Sequence, residues 1–134
     1  MTIEAAITKL QTHALALTGM KDAPDQPPET INVFPFSIAY ERTAETLQRG
    51  YGFADDIVTL WVEFHVARQL LQGGVQTAMA LRDPFLKKLI GDPTLGGSVS
   101  TITAIRRTFG WLKWGGTDTI GYRFEIDVKI DITN

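Results

Sequence analysis

The stretch Ile120-Gly121-Tyr122-Arg123-Phe124-Glu125-Ile126-Asp127-Val128-Lys129-Ile130-Asp131-Ile132 alternates without a miss. Side chains project to opposite faces of a strand with a period of two. This run therefore predicts one long β-strand with a buried face of Ile, Tyr, Phe and Val. Its other face carries Arg123, Glu125, Asp127, Lys129 and Asp131, and must be wet or charge-paired.

Moving upstream, Ser98 to Thr108 is rich in β-branched residues (Val99, Thr101, Ile102, Thr103, Ile105) and predicts a second strand. Phe109 to Thr119 lies between the two, with Trp111, Lys113, Trp114 and the pair Gly115-Gly116, and is expected to be a loop. Earlier still, Val58, Leu60, Val62, Phe64 and Val66 alternate with Thr59, Trp61, Glu63 and His65. Phe34, Phe36, Ile38 and Tyr40 alternate with Pro35, Ser37, Ala39 and Glu41. Pro35 cannot donate to a ladder, which puts that strand at a sheet edge or makes its start irregular. A loop from Thr43 to Asp55, carrying Arg49, Gly50, Tyr51, Gly52 and Phe53, is expected to join these two strands as an antiparallel hairpin. Asp55 and Asp56 read as the charged entry to the second of them.

Two segments carry a helical period. Ile3, Ala6, Ile7, Leu10, Ala14 and Leu17 fall on one stripe, with Thr2 as N-cap, Gly19 as the stop and His13 near the stripe's edge as a surface residue. Gln72 to Ile90 places Val75, Ala78, Met79, Leu86 and Leu89 on one side. Asp83-Pro84 interrupts it, predicting a kink or two short helices. Between the first helix and the first strand, Met20 to Thr30 holds Pro24, Pro27 and Pro28 and reads as an extended connection. The order is helix, strand, strand, helix, strand, strand. Strands paired as hairpins with helices on one face make an α+β fold around an antiparallel sheet. The 134 residues suit one domain: a helix at 1–19, a Pro-rich connection at 20–30 and a sheet-and-helix core at 31–134.

Composition narrows the function classes. The chain is 44% hydrophobic and 21% charged, with 13 Lys and Arg against 15 Asp and Glu, so it lacks the basic excess of a free-standing nucleic-acid binder. No run of 18 apolar residues is present, so no membrane-spanning helix is expected, and Met1 to Glu4 offers no basic region of a secretory leader. Without cysteine there is no disulfide scaffold, thiolate nucleophile or cysteine-ligated metal, which fits a reducing compartment.

No constellation for catalysis emerges. The glycine pairs at 73–74, 96–97 and 115–116 read as turns, since none is followed by the Lys-Ser/Thr of a phosphate loop. Glu63 and His65 share a strand face, as an acid–base pair or two ligands would. Cross-strand pairing or solvent exposure accounts for them equally well. Asp55 and Asp56 lack the further oxygen ligands of a calcium loop. Arg106 and Arg107 are adjacent, so on a strand they point to opposite faces. No catalytic, metal-binding or cofactor-binding residue is assigned, and no cofactor is expected. The remaining feature is aromatic: Tyr51, Phe53, Trp111 and Trp114 sit in expected loops, and Trp61 lies on the less apolar face of its strand. They either fold back over the sheet or contact a partner, since Trp, Tyr and Arg dominate such contacts.

The arrangement resembles the tail terminator (tail-completion) proteins of long-tailed bacteriophages. The likeness rests on an amphipathic first helix, a Pro-rich connection, a hairpin with a long intervening loop, a helix ending in Gly91-Asp92-Pro93-Thr94-Leu95-Gly96-Gly97, a strand, a loop and a long alternating last strand. Head–tail joining and neck proteins share this architecture. The resemblance implies a non-enzymatic virion protein at the tail–neck junction, assembled in the host cytoplasm. Its subunits would form a ring, expected to be a hexamer, on the head-proximal end of the tail tube. That ring would end tube polymerisation and offer a surface to the head connector, while DNA passes through unrecognised. Closure by rotation requires one patch to meet a different patch of the next copy. The contact candidates are Arg49, Tyr51, Phe53, Trp61, Trp111, Lys113, Trp114, Arg123, Glu125 and Asp127. The charges of the last strand would form inter-subunit ion pairs or line a wet lumen. A small enzyme or ligand-binding domain with a pocket between sheet and helices, or an adaptor binding through its Trp and Tyr loops, are the competing classes.

Overall fold

The computed structural model describes residues 1–68 and 71–133. The elements are α1 (Ile3–Leu15), β1 (Phe36–Gly50), β2 (Phe53–Ala67), α2 (Leu71–Ile90), β3 (Thr101–Trp114) and β4 (Thr117–Thr133). The four strands form one sheet in the order β1-β2-β4-β3 with every neighbouring pair antiparallel. This is the expected α+β fold. β1 is an edge strand, and Pro35, behind a cis peptide bond, stands just before it.

α1 begins where Thr2 caps it, its hydroxyl accepting from the Ala5 N–H. Both helices lie on one face of the sheet, α1 over β1 and α2 over β2 and β4. Between them and the sheet lies the main core, built from the inward stripes of α1 and α2 and from Val58 to Val66 and Ile120 to Ile130 at alternate positions. At its centre the rings of Phe64, Phe85 and Phe124 meet edge-on, with centroids 4.8 to 5.1 Å apart.

Several expectations change. The segment from Thr43 to Asp55 is not a loop: β1 runs to Gly50, β2 starts at Phe53, and only Tyr51 and Gly52 turn between them. The cause is a two-sided polar strand. Every residue from Glu41 to Gly50 is exposed, so no inside–outside period marks it. Phe109 to Thr119 is likewise ordered as strand up to Trp114, with a two-residue turn at Gly115-Gly116 (φ 56° and 80°). That pair of positive φ values is what a tight hairpin turn demands of glycine. Asp55 and Asp56 therefore lie within β2. Gly73-Gly74 is no turn but the start of α2, where a Cβ on Gly74 would stand 3.0 Å from the Ala67 carbonyl.

α2 does not divide at Pro84. Ala78, Leu81, Phe85 and Leu89 are buried on one stripe running through the proline, and Pro84 itself faces solvent. Packing on both sides outweighs the one lost hydrogen bond.

The most consequential departure concerns the second face of the sheet. Phe36 and Ile38 of β1 point away from the helices, on the side of Glu63 and His65. They form a second cluster with Ile31, flanked by Phe34, Tyr40 and Trp114. The Pro-rich connection makes this possible. It passes along the edge of β1, where Lys21 N–H donates to the Pro35 carbonyl and Ser37 N–H to the Asp22 carbonyl. It then turns onto the far face, where the Trp114 indole N–H donates to the Pro28 carbonyl at 2.7 Å. Gly115 has no room for a side chain there, because a Cβ would collide with the Glu29 carbonyl.

Candidate functional site

The ten residues singled out from sequence fall into three groups. Arg49, Tyr51 and Phe53 stand at the tip of the β1–β2 hairpin, an arm that lies beyond the part of the sheet covered by α1. Tyr51 is 97% exposed and Phe53 60%, and the partly exposed Leu47 and Ile132 add to the same apolar end. Arg49 is held by Asp55 across the turn. A shallow depression of about 350 Å³ bounded by Gln48, Phe53, Ala54 and Ile132 lies beside it.

Trp111 and Lys113 occupy the opposite end of the sheet, on β3. In the paired rows Trp111 lies beside Ile120 and so points to the helix side, yet no helix packs along β3 as they do on the other strands. Trp111 is 60% exposed, with the Arg68 guanidinium over its ring at 5.0 Å. Next to it a depression of about 560 Å³ is lined by Phe34, Ala67, Arg68, Thr117 and Asp118. Two aromatic ends therefore exist, on different strands and at opposite ends of the sheet.

The third group is partly exposed but held by contacts within the chain. Trp61, Trp114, Arg123, Glu125 and Asp127 lie on the far face and are engaged within the chain. Arg106 bridges to Glu125 at 3.1 Å and to Asp127 at 2.8 Å. The Asp127 carboxyl is held below its usual range, chiefly by that arginine. Lys129 lies 3.7 Å from Asp55 and 3.9 Å from Asp131. The alternating charges of β4 are thus paired, chiefly with Arg106 of β3 and with Glu63 and Asp55 of β2, rather than presenting an unpaired row to a partner.

Sequence reasoning left Glu63 and His65 between pairing and exposure; they are paired and fully enclosed, at 2% and 0% exposure. His65 Nε2 lies 2.9 Å from Glu63 Oε1, and its Nδ1 lies 2.6 Å from the Thr119 hydroxyl. The other Glu63 oxygen accepts from Arg123 Nε at 3.0 Å and from the Tyr40 hydroxyl at 3.1 Å. Arg123 in turn lies over the Trp61 ring at 4.2 Å, with Arg42 near the same ring at 4.8 Å. Burial alone would raise the Glu63 carboxyl. The hydrogen bonds and charges of His65 and Arg123 together outweigh it and hold Glu63 below its usual range. Burial, then the Glu63 charge, push the Tyr40 hydroxyl up to about 12. Among the described residues no buried side-chain polar atom lacks a partner.

An imidazole flanked by a carboxylate and a hydroxyl has the parts of an acid–base relay. Catalysis requires substrate to reach the imidazole. Here Trp114 and the strand neighbours seal it, which makes the cluster a buried polar tie between β1, β2 and β4. Its signal in the sequence was the joint presence of Tyr40, Glu63, His65 and Arg123 on one face, visible only once strand register is known. His13 is also paired: its Nε2 lies 2.8 Å from Asp92 Oδ2, tying α1 to the turn after α2. Among the described residues no group of three His, Asp or Glu stands close enough to hold a metal ion.

No protein-family model matches the chain, and no curated protein matches it at a significant level.

Proposed function

We propose that the protein is a bacteriophage structural subunit that closes into a ring, expected to be hexameric, on the head-proximal end of the tail tube. There it ends tube polymerisation and presents its outer surface to the head connector. One observation carries the reading: the molecule keeps two separate apolar ends in water. Tyr51 and Phe53 stand at the tip of a hairpin arm, and Trp111 lies on the uncovered side of β3. Large aromatic side chains exposed in this way mark surfaces that another protein covers. Two different patches at opposite ends suit the heterologous contact from which rings are built. The polar residues that chemistry would need are consumed in structure, Glu63 and His65 in a sealed tie and the β4 charges in ion pairs. The reading therefore involves no reaction, cofactor or metal, and DNA passes the ring without specific contacts.

The test is an elongation assay with the tail-tube protein encoded in the same genome. Added protein is expected to stop tube growth at substoichiometric ratio and to bind one tube end. Tubes that grow to the same length with and without it would overturn the proposal.

A further inference from the structure

Resting on the ring reading, we infer that neighbouring copies join edge to edge, the β3 edge of one copy accepting the β1 edge of the next, so that one antiparallel sheet continues between subunits. Three features of the chain lead there.

The first is direction. Four strands that alternate in direction leave edges β1 and β3 running opposite ways. A copy added head-to-tail with its helices on the same side therefore meets its neighbour with antiparallel strands, the geometry that forms a regular ladder. Both edges offer unused backbone. The lower edge of β1 is bridged by Asp22, and past it the residues Glu41–Gly50 are exposed throughout. On β3 the Ile102 N–H is bonded to the Pro93 carbonyl, and from there to Trp111 no backbone hydrogen bond leaves the sheet among the described residues.

The second is charge. Glu41, Arg42 and Glu45 on β1, and Arg107 and Lys113 on β3, are exposed and make no ion pair among the described residues, which leaves an acidic excess on β1 and a wholly basic set on β3. Two β3 edges would oppose cation to cation, whereas β3 against β1 sets Arg107 and Lys113 on an edge where Glu41 and Glu45 outnumber Arg42. Across the sheet Glu41, Leu60, Ile126 and Ile105 form one row. A slip of two residues keeps every side chain on its face and sets Glu41 of one copy opposite Arg107 of the other.

The third is the missing layer. α1 covers β1 and α2 covers β2 and β4, while on the helix side of β3 Trp111 is 60% exposed and Phe109, packed on Tyr122, is partly so. α1 is anchored beside the start of β1 by Gln11, whose side chain donates to the Ser37 carbonyl and accepts from the Ser37 hydroxyl. A copy docked by its β1 edge brings that helix toward Phe109 and Trp111 and supplies the layer that β3 lacks.

The chain has no cysteine, which permits a directional test. Thr43→Cys and Ala104→Cys lie in one row of the sheet, on β1 and β3 respectively. Assembled samples, free or on tubes, are treated with a short bis-maleimide linker that spans a two-residue slip. The double variant is expected to give a ladder of linked species ending at the ring number, a mixture of the two single variants to give dimers only, and each single variant alone to give none. Dimers from either single variant alone would overturn the proposal in favour of a two-fold contact between like edges. An assembled sample in which no pair links would overturn it while leaving the ring intact. A chain that forms no assembly, alone or on tubes, would remove the ring reading and the proposal with it. As a second readout, Glu41→Arg and Arg107→Glu should each reduce assembly, and the two together should restore it; failure of the pair to restore assembly counts against the contact.

Discussion

Replacing Glu63 by Gln keeps the number of heavy atoms in the side chain and leaves the sheet's shape alone, so its effect reports the buried tie alone. The carboxylate accepts three hydrogen bonds, from His65, Arg123 and Tyr40, at 2.9, 3.0 and 3.1 Å. An amide has one accepting oxygen. If that oxygen serves His65, the amide NH2 faces the Arg123 N–H, a donor against a donor. The charge that attracted Arg123 is also gone. Hydrogen bonds to charged groups contribute about 1.5–3 kcal/mol each. Arg123 is 35% exposed and can turn to water, which recovers part of the loss. The expected destabilisation is therefore about 2–3 kcal/mol, at or below the lower end of that for breaking a fully buried pair from one side. Urea unfolding followed by tryptophan fluorescence and by far-ultraviolet circular dichroism gives the measurement. The midpoint should fall at an unchanged slope by about 0.7–3 M, taking a slope of about 1–3 kcal/mol per molar for a small domain. A variant within about 0.5 kcal/mol of the parent would refute the claim that Glu63 ties β1, β2 and β4 together.

The two tryptophans of β3 should separate: Trp111→Ala keeps its melting temperature and loses assembly, whereas Trp114→Ala, which gives up packing on Tyr40 and the bond to Pro28, loses about 2–4 kcal/mol in thermal or urea unfolding. Gly121→Ala should yield little soluble folded protein, because a Cβ there would lie 1.7 Å from the Phe64 carbonyl oxygen in the middle of the sheet; soluble expression and a native circular-dichroism spectrum would contradict this. Because the Glu63 carboxyl is held below its usual value of 4.5, its contribution to stability is full above that pH and is lost as pH falls through the lower folded-state value. Unfolding free energy measured from pH 6 down to pH 3 should accordingly fall more steeply for the parent than for Glu63→Gln.

How much of this was legible depended on whether burial was one-sided. β4 announces itself because the residues from Ile120 to Ile130 alternate between the core and a charged face, and the inner stripes of β2 and α1 do the same. The arm from Glu41 to Gly50 carries no such record, since water lies on both of its faces and Thr, Glu, Gln and Arg serve equally on either. The extension of β3 through Trp111 to Trp114 was hidden for a different reason: its aromatic residues lie on both faces, Trp111 toward the helix side and Trp114 toward the Pro-rich connection. The polar tie was harder still. Glu63 and His65 look like surface residues until Arg123 from a strand sixty residues away is placed beside them, and only then does their burial become affordable in free-energy terms. The contact candidates followed the same line. Exposed aromatic side chains at Tyr51, Phe53 and Trp111 stayed exposed, while Arg123, Glu125 and Asp127 found their partners inside the chain.

Electron-microscopic class averages of tail-tube ends incubated with the purified protein test the central claim most directly. The account predicts an annular density, built of repeated copies of this chain, on one end of each tube and none along the tube wall. Bare ends, or single copies scattered over the wall without an annulus, would contradict it.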